Sequence, residues 1–287
     1  MKPDLSLAHL TMIHASPPEL VAIAGRCGYR FVGLRLIEVT GGDAWPIVGD
    51  RALLRHTLAE MKASEVGVLD VELVRLRPET KVAELVPTFE TAAELGARHV
   101  LTQGHDSDWG RLTDNFAALC DLAARYGMTA DVEFLTWTGM RGIAQVQSLI
   151  AAAGRDNAGL MIDTLHFSRS GCRLDELDEV PSERFHYIQI ADAGGPIPTT
   201  PEGLIFTARE DRLMPGEGEI DLRAILRRVP ADIPVAVEIP NSRLAASMSD
   251  EDRALMAYQA TSRLLEDISR TGGHGSPGRE SVRASPG

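Results

Sequence analysis

The stretch FAALCDLAARYGMTADVEFL, residues 116–135, contains one complete unit of a helix followed by a strand. Its Ala- and Leu-rich first part is typical of a helix that packs one apolar face against a sheet. Gly127 follows, at the position where a left-handed glycine ends a helix. Two residues later a short apolar run begins that carries Glu133, and such a run predicts a buried strand. We expect this unit to be one repeat of a larger fold.

The same order of elements recurs along the chain. Residues 17–36 and 90–104 repeat it, with Gly28 and Gly96 in the place of Gly127, and residues 58–76 are a variant with Gly67 close to its strand. Eight strands are predicted near 5–12, 31–37, 68–74, 99–103, 130–135, 159–164, 186–191 and 234–239. Helices are predicted in most of the gaps, at 17–27, 51–64, 81–95, 111–126, 142–153 and 220–229, with a last one at about 250–269.

Alternating strands and helices predict an α/β protein with a parallel sheet, and eight such units predict a closed (β/α)8 TIM barrel. The 287 residues suit one barrel, since a barrel of this kind needs about 250. An open, doubly wound sheet is the structural alternative, but no G-x-G-x-x-G follows the first strand. We therefore expect a single barrel domain over residues 1–270 and a disordered Gly/Ser/Pro-rich tail over 271–287.

The composition argues against several classes of protein. The net charge of −12, from 29 basic and 41 acidic residues, argues against a nucleic-acid partner. The three scattered cysteines form no C-x-x-C pair, which argues against a zinc knuckle and a disulfide framework. The first residues lack the apolar run of a signal peptide, and no apolar segment approaches about 18 residues. We expect a cytoplasmic protein that binds a small molecule and no membrane.

Polar residues stand where the predicted strands end. Strand five presents Glu133, strand six Asp163 followed by His166, strand seven Gln189 and strand eight Glu238. The intervals between Glu133, Asp163, Gln189 and Glu238 are 30, 26 and 49 residues. One barrel unit takes about 30 residues, and a long loop fills the last interval. Because the carboxyl ends of barrel strands meet at one mouth, four oxygen-bearing side chains should converge there.

Three carboxylates in one place would repel one another, so either burial raises their pKa values or a cation neutralises them. One acidic residue at a strand end is more often a helix cap or a solvated group. Four oxygen-bearing residues in register on neighbouring strands favour a metal site. Carboxylate and amide oxygens suit Mn²⁺ or Mg²⁺, with Co²⁺ or Zn²⁺ as substitutes.

The long loop at residues 194–221 is rich in Gly and Pro, and loops of this length are usually functional covers or disordered. Arg209 and Arg212 lie on it, and a guanidinium there could bind a carboxylate or phosphate of the substrate. His105 follows strand four and is the third candidate for substrate binding. For all three residues, an ordinary role on a solvated loop stays open as the alternative.

Five segments resemble the sugar phosphate isomerase/epimerase superfamily, the xylose-isomerase-like TIM barrels. The resemblance covers about residues 5–265 and is carried by VEF (132–134), IDTLHF (162–167), YIQIAD (187–192), PGEGEID (215–221) and VEI (237–239).

The resemblance implies a metal held by Glu133, Asp163, Gln189 and Glu238, with His166 facing the substrate. It implies a divalent-metal-dependent isomerase or epimerase for a keto-sugar or related hydroxy-carbonyl compound. Glu133 and Glu238 would transfer the proton through a metal-stabilised enediolate. Family members often have His where this chain has Gln189, and the amide favours Mn²⁺ or Mg²⁺ over Zn²⁺.

Three other functions stay in consideration. Gln189 also looks like the 3-dehydroshikimate dehydratase branch of these barrels, which makes a lyase the main alternative, with His166 protonating a departing hydroxyl. An abasic-site nuclease would need further histidine ligands and a basic groove. A non-catalytic binding barrel is a remote alternative, because Glu133 and Glu238 are both present. Barrels of this kind often pair, so a homodimer stays open.

Overall fold

Nine short strands form one parallel sheet in the computed structural model, which describes residues 3–39, 41–42 and 44–272. They cover all eight predicted strand positions. Their bounds are β1 (Leu5–Leu7), β2 (Phe31–Arg35), β3 (Gly67–Leu76), β4 (His99–Gly104), β5 (Thr129–Glu133), β6 (Ala158–Leu160), β7 (Ile162–Asp163), β8 (Ile188–Ile190) and β9 (Val235–Val237).

The sheet closes into a barrel between β6 and β7, which only Met161 separates in the chain. The strand order is β6-β5-β4-β3-β2-β1-β9-β8-β7, so β6 and β7 stand at its two ends. These two strands are consecutive in the chain, and the N–H of Met161 between them donates to the carbonyl of Val132 at 3.0 Å. Strands β6 and β7 are therefore two halves of the sixth barrel strand. The predicted (β/α)8 TIM barrel in a single domain is confirmed.

The helices surround this barrel, and most of them lie where the periodicity predicts. Their bounds are α1 (Pro17–Cys27), α2 (Arg51–Ser64), α3 (Val86–Glu94), α4 (Trp109–Arg125), α5 (Ile143–Ala153), α6 (Thr164–Ser170), α7 (Asp175–Asp178), α8 (Pro201–Glu210), α9 (Leu222–Leu226), α10 (Ser242–Ser247) and α11 (Asp250–Gly272). Three short 3₁₀ helices cover His9–Met12, Val82–Leu85 and Ser182–Arg184.

The three predicted glycine caps are confirmed. Gly28, Gly96 and Gly127 have φ values of 91°, 70° and 71°, which L-residues with a side chain rarely adopt. Each of these glycines therefore turns the chain from a helix toward the next strand.

The structure corrects two boundaries. The strand predicted over 5–12 ends at Leu7, because His9–Met12 turns into a 3₁₀ helix and Thr11 Oγ1 donates to the carbonyl of Val237 at 3.0 Å. The loop predicted over 194–221 contains helix α8. Its signal was Thr200 before Pro201, since the Thr200 hydroxyl accepts the N–H of Gly203 and caps the helix.

Helix α11 continues to Gly272, two residues into the segment predicted to be a disordered tail. The remainder of that segment, residues 273–287, lies outside the described residues. Within the part of the chain that the structure describes, no helix is both long and apolar enough to cross a bilayer.

The segment 215–221 is held against the end of β8 by Asp192, which is 1% exposed. Asp192 Oδ1 accepts the N–H groups of Ala193 at 2.8 Å and Ile220 at 3.1 Å, and Oδ2 accepts that of Gly216 at 2.9 Å. A Cβ on Gly218 would lie 2.3 Å from Asp192 Oδ1 and 2.6 Å from the Ala193 carbonyl oxygen. Only glycine therefore fits at position 218 without moving this segment.

The substitution Gly218→Ala should lower the free energy of unfolding by about 1–3 kcal/mol, because the added methyl group overpacks a buried backbone contact. Urea denaturation measures the difference. Gly110→Ala in helix α4 is the control, since its Cβ would meet only Asp108 Oδ1 at 3.5 Å, and its stability should be unchanged or slightly raised. Equal midpoints for Gly218→Ala and the wild type would contradict the close contact.

Candidate active site

The carboxyl ends of four barrel strands bring the four predicted metal ligands together. Glu133 ends β5, Asp163 ends β7, Gln189 lies in β8 and Glu238 directly follows β9. Asp163 is in register with Gln189, and none of the four residues is more than 4% exposed. The register of a closed parallel sheet therefore puts these side chains at one end of the barrel.

His166, the first-turn residue of α6, lies among them. One ligand atom from each of Glu133, Asp163 and His166 falls within 4.8 Å of the others. His166 Nε2 is 3.6 Å from Glu133 Oε1, and Gln189 Nε2 is 3.4 Å from Glu238 Oε1. Trp137 packs its ring edge-on against the His166 ring at 5.2 Å, which helps to fix the imidazole.

Arg212 lies between two of the carboxylates and is 2% exposed. One of its terminal nitrogens is 2.5 Å from Asp163 Oδ2 and the other is 2.9 Å from Glu238 Oε2. Its Nε donates to the carbonyl of Ala208 at 2.7 Å. Arg212, which the sequence predicts to bind the substrate, is thus paired with two buried carboxylates in the structure. Its guanidinium neutralises part of their negative charge.

Asp163 uses its two oxygens for different purposes. Oδ1 accepts the N–H groups of Leu165 at 2.8 Å and His166 at 3.0 Å, and so caps helix α6. Oδ2 faces Arg212. The pKa of Asp163 is lowered, because the charge and hydrogen bond of Arg212 outweigh the effect of burial. Asp163 is therefore both a helix cap and the ion-pair partner of Arg212, and its role as a metal ligand stays a prediction.

The pKa values of Glu133, Glu238 and His166 are shifted so that their neutral forms are favoured. Burial, reinforced by the charges of Asp163 and Glu238, raises the pKa of Glu133 well above its ordinary value. Burial also raises the pKa of Glu238 to about 8, against the opposing charge of Arg212. Burial lowers the pKa of His166 to about 4. Near neutral pH the site therefore combines a neutral imidazole with a glutamate that readily exchanges its proton.

The donor set fits a divalent cation. Gln189 Oε1 is buried and has no hydrogen-bond partner among the described residues, although its amide nitrogen faces Glu238. A buried carbonyl oxygen without a donor is uncommon, and this one lies at the end of the barrel that also holds three buried carboxylates. Carboxylate and amide oxygens are the ligands that hard divalent ions prefer. Glu133, Asp163, Gln189 and Glu238 could therefore hold such an ion.

A cavity of about 420 Å³ opens onto this cluster, a size that suits a small-molecule ligand. It is lined by five of the predicted site residues: Glu133, His166, Arg209, Arg212 and Glu238. Asp163 and Gln189 are buried beside them. His105 does not line the cavity, but its Nε2 is 3.3 Å from Gln103 Oε1, which does.

Gln103 and Arg75 are two residues of the cavity wall that sequence reasoning missed as site residues. Gln103 Nε2 makes a short hydrogen bond to Glu133 Oε2, and Gln103 Oε1 accepts from Arg75 Nε at 3.2 Å. Gln103 lies directly before Gly104 at the end of β4, and this strand-end position was the available signal. The glutamine therefore orients Glu133 from the neighbouring strand.

Arg75 and Arg209 make this wall positive. Neither guanidinium has an ion-pair partner among the described residues, and both line the cavity. Burial, followed by the charges of Arg209 and Arg77, lowers the pKa of Arg75 to about 10. A group that is pushed toward its neutral form by neighbouring cations gains most from a bound anion.

The chain belongs to the xylose isomerase-like TIM barrel family, whose pattern matches residues 21–264. Inosose isomerase of Bacillus velezensis is 27% identical over 155 residues, which are 50% of this chain and 53% of that protein. The 3-dehydroshikimate dehydratase of Pseudomonas aeruginosa is 27% identical over 140 residues, 47% of this chain and 22% of that protein. The chain thus spans about half of the length of the inosose isomerase it matches.

Solved structures share the fold over nearly the whole chain. A structure of IOLI protein with a binding zinc atom has a TM-score of 0.76 and 22% identity, covering 93% of this chain and 99% of that one. D-psicose 3-epimerase has a TM-score of 0.69 and 14% identity, with 92% and 98% coverage. These likenesses confirm the barrel.

The affinity for Mn²⁺ should fall as the pH falls. Glu238 carries a proton below its pKa of about 8, and an ion must displace that proton to bind the carboxylate. Displacement of the Glu238 proton alone makes the association constant rise by about tenfold per pH unit between about pH 6 and 7.5, and a proton displaced from Glu133 as well makes the rise steeper. Isothermal titration calorimetry in buffers of different ionisation enthalpy measures both quantities. In Glu238→Gln the pH dependence should be shallower, and a flat profile in the wild type would contradict the raised pKa.

Proposed function

We propose that the chain is a divalent-metal-dependent isomerase or epimerase that acts on a keto-sugar, a polyol ketone or a related hydroxy-carbonyl compound. One observation carries the proposal: two buried glutamates with raised pKa values, Glu133 and Glu238, face one cavity together with His166 and Arg212. The similarity to inosose isomerase and the fold shared with sugar epimerases support it.

We infer that Glu133, Asp163, Gln189 and Glu238 hold the ion. Three carboxylates and one amide oxygen form a harder ligand set than one that includes an imidazole, which favours Mn²⁺ or Mg²⁺ over Zn²⁺. When bound, a divalent cation would polarise the carbonyl of the substrate and stabilise negative charge beside it.

The two glutamates carry the proton in this proposal. They come from the fifth and the eighth barrel strands and reach the cavity from different parts of the wall. One removes the proton next to the carbonyl and the other returns a proton to the opposite face. Burial raises the pKa of metal-free Glu238 to about 8, and a bound cation would lower it, so that the carboxylate is available as a base near neutral pH. Neutral His166 orients a hydroxyl of the substrate by a hydrogen bond.

The substitution Glu238→Gln should lower kcat by about 10²–10⁴-fold, because the amide cannot exchange a proton. NMR measures the loss as slower exchange of the carbon-bound proton of inosose or D-psicose with deuterated solvent. Glu217→Gln is the matched control, since Glu217 is exposed on the loop and should retain full turnover. Full activity of Glu238→Gln, with an unchanged circular dichroism spectrum, would refute the acid–base role.

A lyase of the 3-dehydroshikimate dehydratase type is the second candidate, and the positive cavity wall favours it. Arg75 and Arg209 have no acidic partner among the described residues, so they are free to bind a carboxylate of the substrate. A neutral keto-sugar gains less from two guanidinium groups, because it has no charge for them to neutralise. The similarity to the Pseudomonas aeruginosa dehydratase supports a carboxylated substrate.

The double substitution of Arg75→Gln and Arg209→Gln separates the two candidates. Each charged hydrogen bond contributes about 1.5–3 kcal/mol, so the loss of both should raise KM for 3-dehydroshikimate by about 100-fold or more. KM for a neutral keto-sugar should stay the same. The dehydration of 3-dehydroshikimate is measured by the near-ultraviolet absorption of its product. Arg173→Gln on the exposed surface is the control. An unchanged KM for the acid would contradict the anion site.

A further inference from the structure

The end of the barrel opposite the cavity holds a second group of ligand-type side chains. His99 is the first residue of β4, Asp131 lies in β5, and His186 stands two residues before β8. One ligand atom from each of them falls within 4.8 Å of the others. Asp131 is fully buried, whereas the His99 and His186 side chains are 12% and 19% exposed. Solvent ions can therefore reach the group from the outside.

Both imidazoles present the same nitrogen to the same carboxylate. His186 Nδ1 is 2.5 Å from Asp131 Oδ1, and His99 Nδ1 is 3.6 Å from Asp131 Oδ2. The Thr129 hydroxyl donates to Asp131 Oδ2 at 2.5 Å and lies 2.7 Å from His99 Nδ1. Two nitrogens and two or three oxygens thus face one small volume.

The packing around the rings fixes this arrangement. The His99 ring stacks on the His186 ring with centroids 5.7 Å apart and an interplanar angle of 9°. It also stacks on Tyr187 at 5.2 Å. Because neighbouring rings hold both imidazoles, their Nδ1 atoms need little reorganisation to bind a ligand.

Gly159 has no side chain, and this leaves the space in which Asp131 and His186 meet. It is in register with Asp131, on the sixth barrel strand. A Cβ at this position would lie 2.0 Å from Asp131 Oδ1 and 2.5 Å from His186 Nδ1. The φ of Gly159 is not positive, so the backbone does not require a glycine there. The glycine is required by the contact between Asp131 and His186 across the strand.

The protonation states suit metal binding. Burial lowers the pKa of His99 to about 4, so this imidazole is neutral at pH 7. Its Nδ1 donates to the Thr129 hydroxyl, so binding an ion through Nδ1 requires the ring proton to move to Nε2. The pKa of His186 is raised, because the hydrogen bond and charge of Asp131 outweigh the effect of burial. A cation that binds here would displace to solvent the proton shared by His186 and Asp131.

We propose that His99 Nδ1, His186 Nδ1 and the Asp131 carboxylate form a second metal site that binds Zn²⁺ or a similar transition-metal ion. Two imidazoles and one carboxylate suit these ions, whereas the cavity at the other end offers mostly oxygen donors. Zinc–nitrogen bonds of about 2.0 Å require the contact of His186 with Asp131 to open to about 3.3 Å. The bound ion would link the fourth, fifth and seventh barrel strands and stabilise the end of the barrel opposite the cavity.

Metal-free protein tests the proposal after its cavity site has been saturated with Mn²⁺, which stays in large excess throughout because Zn²⁺ and Co²⁺ can otherwise replace it there. Zinc titration by calorimetry, with elemental analysis after desalting, should show one further zinc ion in the wild type. His186→Gln and His99→Gln should bind that ion at least 100-fold more weakly and keep their Mn²⁺. His56→Gln, on the exposed face of α2, should behave like the wild type. Equal zinc stoichiometry in the wild type and His186→Gln would overturn the site.

Cobalt provides a test that needs no variant. Co²⁺ added to the Mn²⁺-saturated wild type should give the visible absorption bands of a low-coordinate ion, and X-ray absorption should show two imidazole ligands.

Zinc should also raise Tm of the wild type but not of Gly159→Ala, whose methyl group fills the site. A cobalt spectrum of an octahedral, oxygen-ligated ion, or a Tm that zinc leaves unchanged, would contradict the proposal.

Discussion

The balance of buried charge at the mouth of the barrel is the constraint on which the site depends. Glu133, Asp163 and Glu238 are almost fully buried, and they share one buried guanidinium, that of Arg212. Three carboxylates and one guanidinium leave an excess of negative charge that water cannot screen. Proton uptake removes this excess in the metal-free state, and a divalent ion would remove it when bound. The same imbalance thus prepares the site for a cation and for proton exchange.

Strand β5 contributes a carboxylate to each end of the barrel. Asp131 and Glu133 are two residues apart on β5, so the alternation of side chains points both into the barrel. Glu133 meets oxygen donors at the mouth, whereas Asp131 meets imidazoles at the other end. The closed sheet keeps the two groups apart and gives each a different set of neighbours. The different metal preferences that we propose for the two groups follow from that separation.

The prediction from sequence succeeded where the signal was local. Helix periodicity and glycine caps located the repeats, and the spacing of polar residues after apolar runs located the four strand ends. It failed where a local pattern was ambiguous, as in the Gly- and Pro-rich loop that contains α8. The split of the sixth strand at Met161 was also hidden, because its residues form one apolar run and only pairing with β5 and β8 divides them.

The sequence by itself determined the barrel, the end of it that carries the carboxylates and the residue types available for a hard cation. Only the tertiary structure decided that Arg212 pairs with Asp163 and Glu238, 49 and 26 residues away. It also decided that His186 reaches Asp131 across Gly159. The physical reason is that periodicity encodes which face of an element is buried, whereas contacts between distant elements depend on the register and closure of the sheet.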